Sequence, residues 1–470
     1  MKRIIILLFI VLFAFFLNTD LFSEEKEVLK GDVKEDVEEN ITESESDDFY
    51  PDFKSDEDMK ILISERKPFS ISYGGWLYPS ILDERKGSSE LLSTIIITKL
   101  WLKSWLWKRT YIYIRFKDVY MNILENKERP VDNDSDNLFD LDVAFASIQN
   151  EKNTLKLFLG RKFFSIGTGL VFNGRGDGGE FNFNSRYVDV KLLGAYTGLL
   201  KKDNNPYNLS SKDISDGAKR LFVGGTISKG YWNQILYLLG LMQIDKGDEE
   251  SGEKSRYNSN YYGIGLKGVL GDTYYFAEYI YETGESYIDG TDEKEDVKAN
   301  AAIVGLNYYL NRSYNPVLLL QYAYGSGDKD RDNYKSPTGN RSGSDNGFLY
   351  FGSFEGGYGL KPILANIHIV RIGLSFTPLY DSTSISLRRM NLIAKYSYYF
   401  KDESESEINF GVDASKSNRD IGHGLDVAFR WKIFSDFSFH INYALFLPGN
   451  AYPSSEDMTH FIMSGFLFSF

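Results

Sequence analysis

Arginine and lysine stand at alternate positions in several stretches of the chain, beginning with Arg115 and Lys117 and ending with Arg430 and Lys432. Lys191, Arg371, Arg389 and Lys395 fall into similar alternating contexts. A planar guanidinium matches both oxygens of a carboxylate, so such residues on one wet surface would select anions. Asp189, Glu278 and Asp426 fall on the same faces. With them the opposing account is equally open: ion pairs that merely brace a hydrated interior. A third charged block, Asn173-Gly174-Arg175-Gly176-Asp177-Gly178-Gly179-Glu180, combines Arg175, Asp177 and Glu180 with four glycines. It either folds into that interior and narrows it or forms a short turn.

Other chemistry finds less support. Ser438, His440 and Asn442 have the residue types of a nucleophile, a base and an orienting amide. Spaced by two along a strand, they lie ~7 Å apart, too far for a hydroxyl to reach an imidazole. Lipid hydrolysis is therefore a remote alternative, and no catalytic residue is expected. Cysteine is absent, which excludes disulfides, thiol catalysis and thiolate metal sites. The acidic clusters at residues 132–136 and 328–332 place carboxylates at every second position, but counting from Asp328 puts Asn333 and Gly339 where a calcium loop needs Gly and Glu. Four scattered histidines suggest no metal pair. Neither a metal nor a cofactor is expected, and no nucleic-acid motif appears.

The elements that would carry those charges are strands. In residues 424–433, Leu425, Val427, Phe429, Trp431 and Ile433 fall on one face and Asp426, Arg430 and Lys432 on the other. Residues 437–445, 368–376 and 318–325 repeat the period of two. A lipid-facing Arg or Lys costs ~2–4 kcal/mol at mid-bilayer, so if the apolar faces meet lipid, the charged faces line water. Polar connections near residues 80–90, 121–137, 201–217, 245–256, 284–296, 325–365, 401–419 and 448–457 alternate with short turns near residues 103–104, 150–152, 229–231, 271, 311–313, 380–384 and 434–436. That is the rhythm of long external loops and short periplasmic turns. With residues 163–184 counted as one hairpin, the count is eighteen strands, within a range of sixteen to eighteen. Trp101, Trp105, Trp107, Trp232 and Trp431 adjoin the short turns and predict a periplasmic girdle.

The N-terminus supplies the route. Lys2 and Arg3 precede an apolar run from Ile4 to Leu17, too short for a spanning helix and suited to a signal peptide over residues 1–23. The net charge of −13 is concentrated just beyond that segment, since residues 24–60 hold sixteen Asp or Glu against five Lys. Residues 24–66 read as a disordered acidic periplasmic linker and 67–470 as the barrel. Phe466, Phe468 and Phe470 end the chain at every second position, the pattern of an outer-membrane assembly signal.

Several stretches resemble the alginate-export family of outer-membrane β-barrel porins. These are residues 421–426 (Ile-Gly-His-Gly-Leu-Asp), 446–452 (Phe-Leu-Pro-Gly-Asn-Ala-Tyr), 315–328 with Gln321-Tyr322-Ala323-Tyr324-Gly325, the Phe-rich segment 348–359, and Leu159-Gly160-Arg161-Lys162 with Gly167 and Gly169. The resemblance implies an eighteen-stranded, monomeric barrel with a charged lumen.

The expected protein is thus an all-β transmembrane antiparallel barrel in the outer membrane of a diderm bacterium. It would pass polar, anionic or carbohydrate solutes by passive diffusion. The alternative is an adhesin or receptor displayed on a plugged barrel. Expected partners are outer-membrane lipid, the barrel-assembly machinery acting through Phe470, and a small polar solute or polysaccharide.

Overall fold

The computed structural model describes residues 69–126, 135–200, 213, 217–247, 256–288, 291, 293–331, 334, 336, 338–408, 417–453 and 455–470. The leader and linker expected over residues 1–66 lie outside the described residues, as do Asp132 to Asp134 of the first acidic cluster.

Eighteen strands follow one another in a single antiparallel sheet, each bonded to its sequence neighbours. They are β1 (Ile71–Lys86), β2 (Ser89–Trp107), β3 (Thr110–Asn126), β4 (Ser135–Gln149), β5 (Leu155–Ile166), β6 (Phe172–Asn184), β7 (Asp189–Tyr196), β8 (Arg220–Tyr231) and β9 (Gln234–Asp245) in the first half. The second half holds β10 (Asn258–Leu270), β11 (Thr273–Tyr287), β12 (Lys294–Tyr309), β13 (Val317–Gly325), β14 (Ile367–Phe376), β15 (Met390–Phe400), β16 (Asp420–Lys432), β17 (Phe437–Pro448) and β18 (Thr459–Ser469). β1 pairs with both β2 and β18, so the sheet closes and no edge is left to seek partners. Phe470 completes the seam by exchanging backbone hydrogen bonds with Gly75 at 2.8 and 3.0 Å.

Alternation decides what each face meets. Leu100 and Leu102, Leu236 and Leu238, and Val370, Ile372 and Leu374 are exposed at every second position, while Lys99, Leu239 and Arg371 between or beside them are buried. An apolar band around a closed cylinder is the surface of a barrel set in a bilayer, where every strand amide has found a partner within the sheet.

Several boundaries move from their sequence-based places. The external connection expected near residues 80–90 is strand, with β1 and β2 joined by the tight turn 87–88. β2 runs past residues 103–104 and turns at 108–109. The connection between β14 and β15 spans residues 377–389 and carries one helical turn, α1 (Ile385–Arg388). The tryptophans also divide. Trp107 and Trp232 are exposed at the lower rim, but Trp105 is buried and Trp101 lies between Trp76 and Tyr113 on the lumen face. Trp431 donates from Nε1 to the backbone oxygen of Ser386 in α1 at 2.9 Å. The period of two places Trp101 and Trp105 with Lys99 and Lys103, opposite the lipid-facing leucines.

Candidate functional site: the lumen and what is folded into it

Two segments leave the wall. β4 pairs with β5 only as far as Ala144 and Arg161, and β6 pairs with β7 only from Asp177 onward. Residues 162–166 and 172–176 therefore pair with each other and with neither neighbouring strand of the wall, and this upper half of the β5–β6 hairpin crosses the bore. Its tip touches strands far around the cylinder. Thr168 donates from N and Oγ1 to the Glu278 carboxylate of β11, at 2.9 and 2.5 Å, and Phe172 stacks on Phe222 of β8 with ring centroids 4.1 Å apart. Gly167, in the left-handed region at φ +62, leaves no space for a Cβ beside Glu278 and Leu239.

The second segment is the connection between β13 and β14, residues 326–366. Its aromatic stretch is unsuited to water and sits inside: Phe348 and Phe351 are fully buried. Leu349 N donates to Glu282 at 3.0 Å, Phe351 N to Val171 O at 3.0 Å and Ser353 N to Gly169 O at 3.1 Å, which ties the loop to β11 and to the hairpin tip. Beyond that point it reaches the opposite wall. Arg371 donates to Glu355 O at 2.9 Å, Lys395 to the Glu355 carboxylate at 2.9 Å, and Tyr358 N to Asp426 at 3.0 Å. Lys361 then pairs with Glu84 of β1 at 2.6 Å, and Tyr358 stacks on Phe461 of β18. Hairpin and loop together form a shelf across the lumen.

Charged groups gather around the shelf in three clusters, each a minority of carboxylates among cations. In the first, Asp142 faces Arg115, Lys99, Arg175 and Lys117. Arg115 Nε reaches it at 2.5 Å and Arg175 Nη1 at 2.9 Å, with Asp140 taking a second bond from Arg175 at 2.6 Å. A bulge in β4 at Asp142 shifts the register against β3, pairing Arg115 with Val143 but Lys117 with Asp140, so that Asp140 and Asp142 come to the inward face that Phe145 shares lower on the strand. In the second, Glu180 accepts from Lys162 at 2.9 Å and lies 3.6 Å from Lys191. The third joins Arg371, Lys395 and Arg430 around Glu355 and Asp426. Burial would raise the Glu355 carboxyl, but Lys395, Arg371 and Arg430 outweigh it and hold the group below the usual glutamate range.

The positions singled out in the sequence fare unequally. Arg115, Lys117, Lys191, Arg371, Lys395 and Arg430 all join these clusters. Arg389 does not: it caps α1 at the lower rim, exposed, because β15 begins one residue later. Lys432 is the exposed last residue of β16 and likewise stands at the rim. Arg175, Asp177 and Glu180 lie in β6, so their block is neither a turn nor a free loop. Arg175 belongs to the part that leaves the wall, Glu180 to the wall itself, and Asp177 at the junction holds Arg161 by two bonds of 3.0 and 2.7 Å. Of the bracing carboxylates expected from sequence, Asp426 stands among Arg371 and Lys395 as expected, and all three carboxylates have further partners. Asp189 accepts from Ser185 N in the turn below β7, Glu278 holds the hairpin tip, and Asp426 holds the loop backbone.

Asp140, Asp142, Lys99 and Glu355 were missed by sequence reasoning. Phe139-Asp140-Leu141-Asp142-Val143 carries the signal for the first two, since carboxylates alternating with apolar residues in a strand must face water or cations. The would-be hydrolytic residues do not assemble: His440 bonds through Nε2 to the Tyr78 hydroxyl, its ring stacked on Tyr78 at 5.1 Å. Asp328 of the second acidic cluster accepts from Asp330 N and Asn346 N, a loop-bracing role. Among the described residues no group of three His, Asp or Glu is placed to hold a metal ion.

Residues 236–461 match the family model described as alginate export. No curated relative matches the chain. Among solved structures, Acinetobacter baumannii OccAB1 aligns with TM-score 0.54 at 10% identity over 86% of this chain and 99% of its own. Outer membrane protein OprD of Pseudomonas aeruginosa aligns with TM-score 0.51 at 12% identity over 86% and 96%. Pseudomonas aeruginosa OccK2, solved in complex with glucuronate, gives 0.52 at 12% identity over 86% and 100%. The shared fold is that of bacterial outer-membrane barrels.

Proposed function

We propose that this protein is an outer-membrane channel that passes small anionic or carbohydrate solutes by passive diffusion and performs no catalysis. The observation that carries the reading is the charge balance of the three clusters around the shelf. Lys99, Arg115, Lys117 and Arg175 outnumber Asp140 and Asp142, Lys162 and Lys191 outnumber Glu180, and Arg371, Lys395 and Arg430 outnumber Glu355 and Asp426. A low-dielectric wall with fixed excess positive charge concentrates anions in the water beside it. The match to the alginate-export model and a fold shared with a glucuronate-bound barrel support the same class of solute.

In this reading residues 1–23 direct secretion, residues 24–66 are a periplasmic spacer, Phe470 is recognised during assembly, and the barrel acts as a monomer. Arg115, Lys117, Lys191, Arg371, Lys395 and Arg430 are the selectivity residues, and Arg175 with Asp177 and Glu180 shapes the narrow level. Reversal potentials in planar bilayers under a salt gradient test it. The parent should prefer chloride over potassium, and Arg371→Ala with Arg430→Ala should shift the preference toward the cation by about twofold or more; an unchanged potential would remove those arginines from the filter.

One observation favours a second reading. The apolar packing of Phe172, Phe222, Phe348 and Phe351 inside the bore suits a plugged scaffold that displays its external loops as a receptor or adhesin. A folded barrel that never opens in the bilayer would establish that alternative.

A further inference from the structure

The periplasmic half of the lumen carries a feature that the charge clusters do not require. Trp76, Trp101, Tyr113, Phe145 and Phe158 project inward from five successive strands, β1 to β5. Neighbouring centroids along this series lie 6.5, 6.1, 5.6 and 5.5 Å apart. Tyr78 and His440, stacked at 5.1 Å, continue it across the seam, where Gly465 of β18 leaves space beside the Tyr78 ring.

The rings lie along an arc at one level. Pairing rows climb the barrel: Tyr73 near the lower end of β1 is linked pair by pair to Ile244 near the upper end of β9. Against that climb, Trp101, Tyr113 and Phe158 each sit two residues below the row of the preceding ring. With strands tilted ~35–45° the two displacements nearly cancel.

Cations border this arc. Arg115 lies 5.9 Å from the Trp76 centroid, Lys162 lies 4.3 Å from that of Phe158, and Lys103 lies 4.3 Å from that of Tyr111. Trp76, Trp101, Tyr113 and Phe145 remain partly exposed on the lumen side. Core aromatics bury their faces, and lipid-interface aromatics point outward. These do neither.

We infer that the arc of Trp76, Trp101, Tyr113 and Phe145 is a stacking site for ring-bearing carboxylates and sets their preference over open-chain anions of equal charge. The inference rests on the channel reading and names the solute class more closely. A six-membered ring lays its C–H face on the indole or phenol, whose negative face attracts the hydrogens, or stacks there offset if it is an arene, while the carboxylate meets Arg115 or Lys162 beside their partners Asp142 and Glu180. An open-chain acid offers the same charge with no flat face.

The full-length barrel in detergent gives a test independent of conduction, by quenching of tryptophan fluorescence with sodium glucuronate and with sodium gluconate. Glucuronate should bind about fivefold tighter, in line with the gain from one or two ring contacts. Trp101→Leu and Tyr113→Leu retain bulk and should bring the two acids within about twofold. Trp107→Leu, outside the lumen, should leave the difference intact, and heat-modifiable gel mobility confirms folding of each variant. Benzoate above glucuronate would identify a flat arene as the ring recognised, and the reverse order a pyranose. Equal binding of glucuronate and gluconate by the parent, or a preference surviving in both lumen variants, would overturn the inference. Anion-selective conductance with equal binding sinks this site and spares the channel; ring-selective binding by a barrel that never conducts spares the site and sinks the channel.

Discussion

Glu278 and Glu282 of β11 and Asp142 of β4 are all carboxylates on the inner wall, yet their surroundings differ completely. The β11 pair accepts from neutral donors, with Tyr237 and Thr168 on Glu278 and Tyr257, Tyr261 and Leu349 N on Glu282. Around them the bore is filled by an apolar mass from Phe164 to Phe351. Asp142 instead sits among four cations in a region where Lys117 stays partly exposed. One side of the lumen is solid, with Glu278 and Glu282 held by hydrogen bonds from neutral groups; the other, wet only beside residues such as Lys117, is held by charge. Carboxylates serve as latches on the first and as counterions on the second, and it is on the second that the proposed channel would sort its solutes.

The contrast breaks most visibly at Asp142. In Asp142→Ala, Arg115 and Arg175 lose their shared acceptor, and a buried pair stripped of one partner costs ~3–5 kcal/mol; urea unfolding in detergent should register a loss of that order. Glu282→Ala attacks the solid side, leaving the Tyr257 hydroxyl and the Leu349 amide in want of acceptors at ~1–3 kcal/mol each where buried, while the Tyr261 hydroxyl keeps Leu349 O at 2.7 Å. Its signature should be functional, a larger and noisier single-channel conductance as residues 345–353 come free of β11.

A milder perturbation is acid. Because Glu355 titrates below the ordinary glutamate range, its negative charge and its tie to Lys395 persist as pH falls through that range, and they fade only as pH passes the depressed value. Relative to Glu355→Gln, parent selectivity should be less anionic at neutral pH and converge on the variant only in strongly acidic buffer. Convergence near neutral pH would contradict the arrangement. The smallest effect is expected at the lower rim, where Arg389→Ala and Lys432→Ala should leave selectivity within experimental error.

The solid and wet sides also differ in how far the sequence announced them. Strand number, closure and lipid face follow from a period of two, a local property repeated along the chain. Arg371 and Arg430 were legible for the same reason, since strand parity fixes their facing. Loop 326–366 was not, because its return into the bore depends on acceptors on β11 and β16 that lie far away in sequence. The run Phe348-Leu349-Tyr350-Phe351 carried the one local hint, as a stretch too apolar for an external loop. Arg389 and Lys432 misled because parity says nothing about height, and a strand that ends one residue early turns a lumen position into a rim position. Asp140 and Asp142 alternate locally with apolar residues, but the bulge at Asp142 means that parity counted from Phe145 gives them the wrong face.

The loop's anchors have a bearing on biogenesis. Lys361 grips Glu84 near the beginning of the barrel, while Tyr358 lies against Phe461 near its end. That pair of footholds comes together only after first and last strands have zipped, whatever the order in which the rest is threaded. The ties of the same loop to Glu282 of β11 and Asp426 of β16 need no closed seam, so the bore is narrowed along one side first and the stretch 358–361 is the last of the shelf to settle.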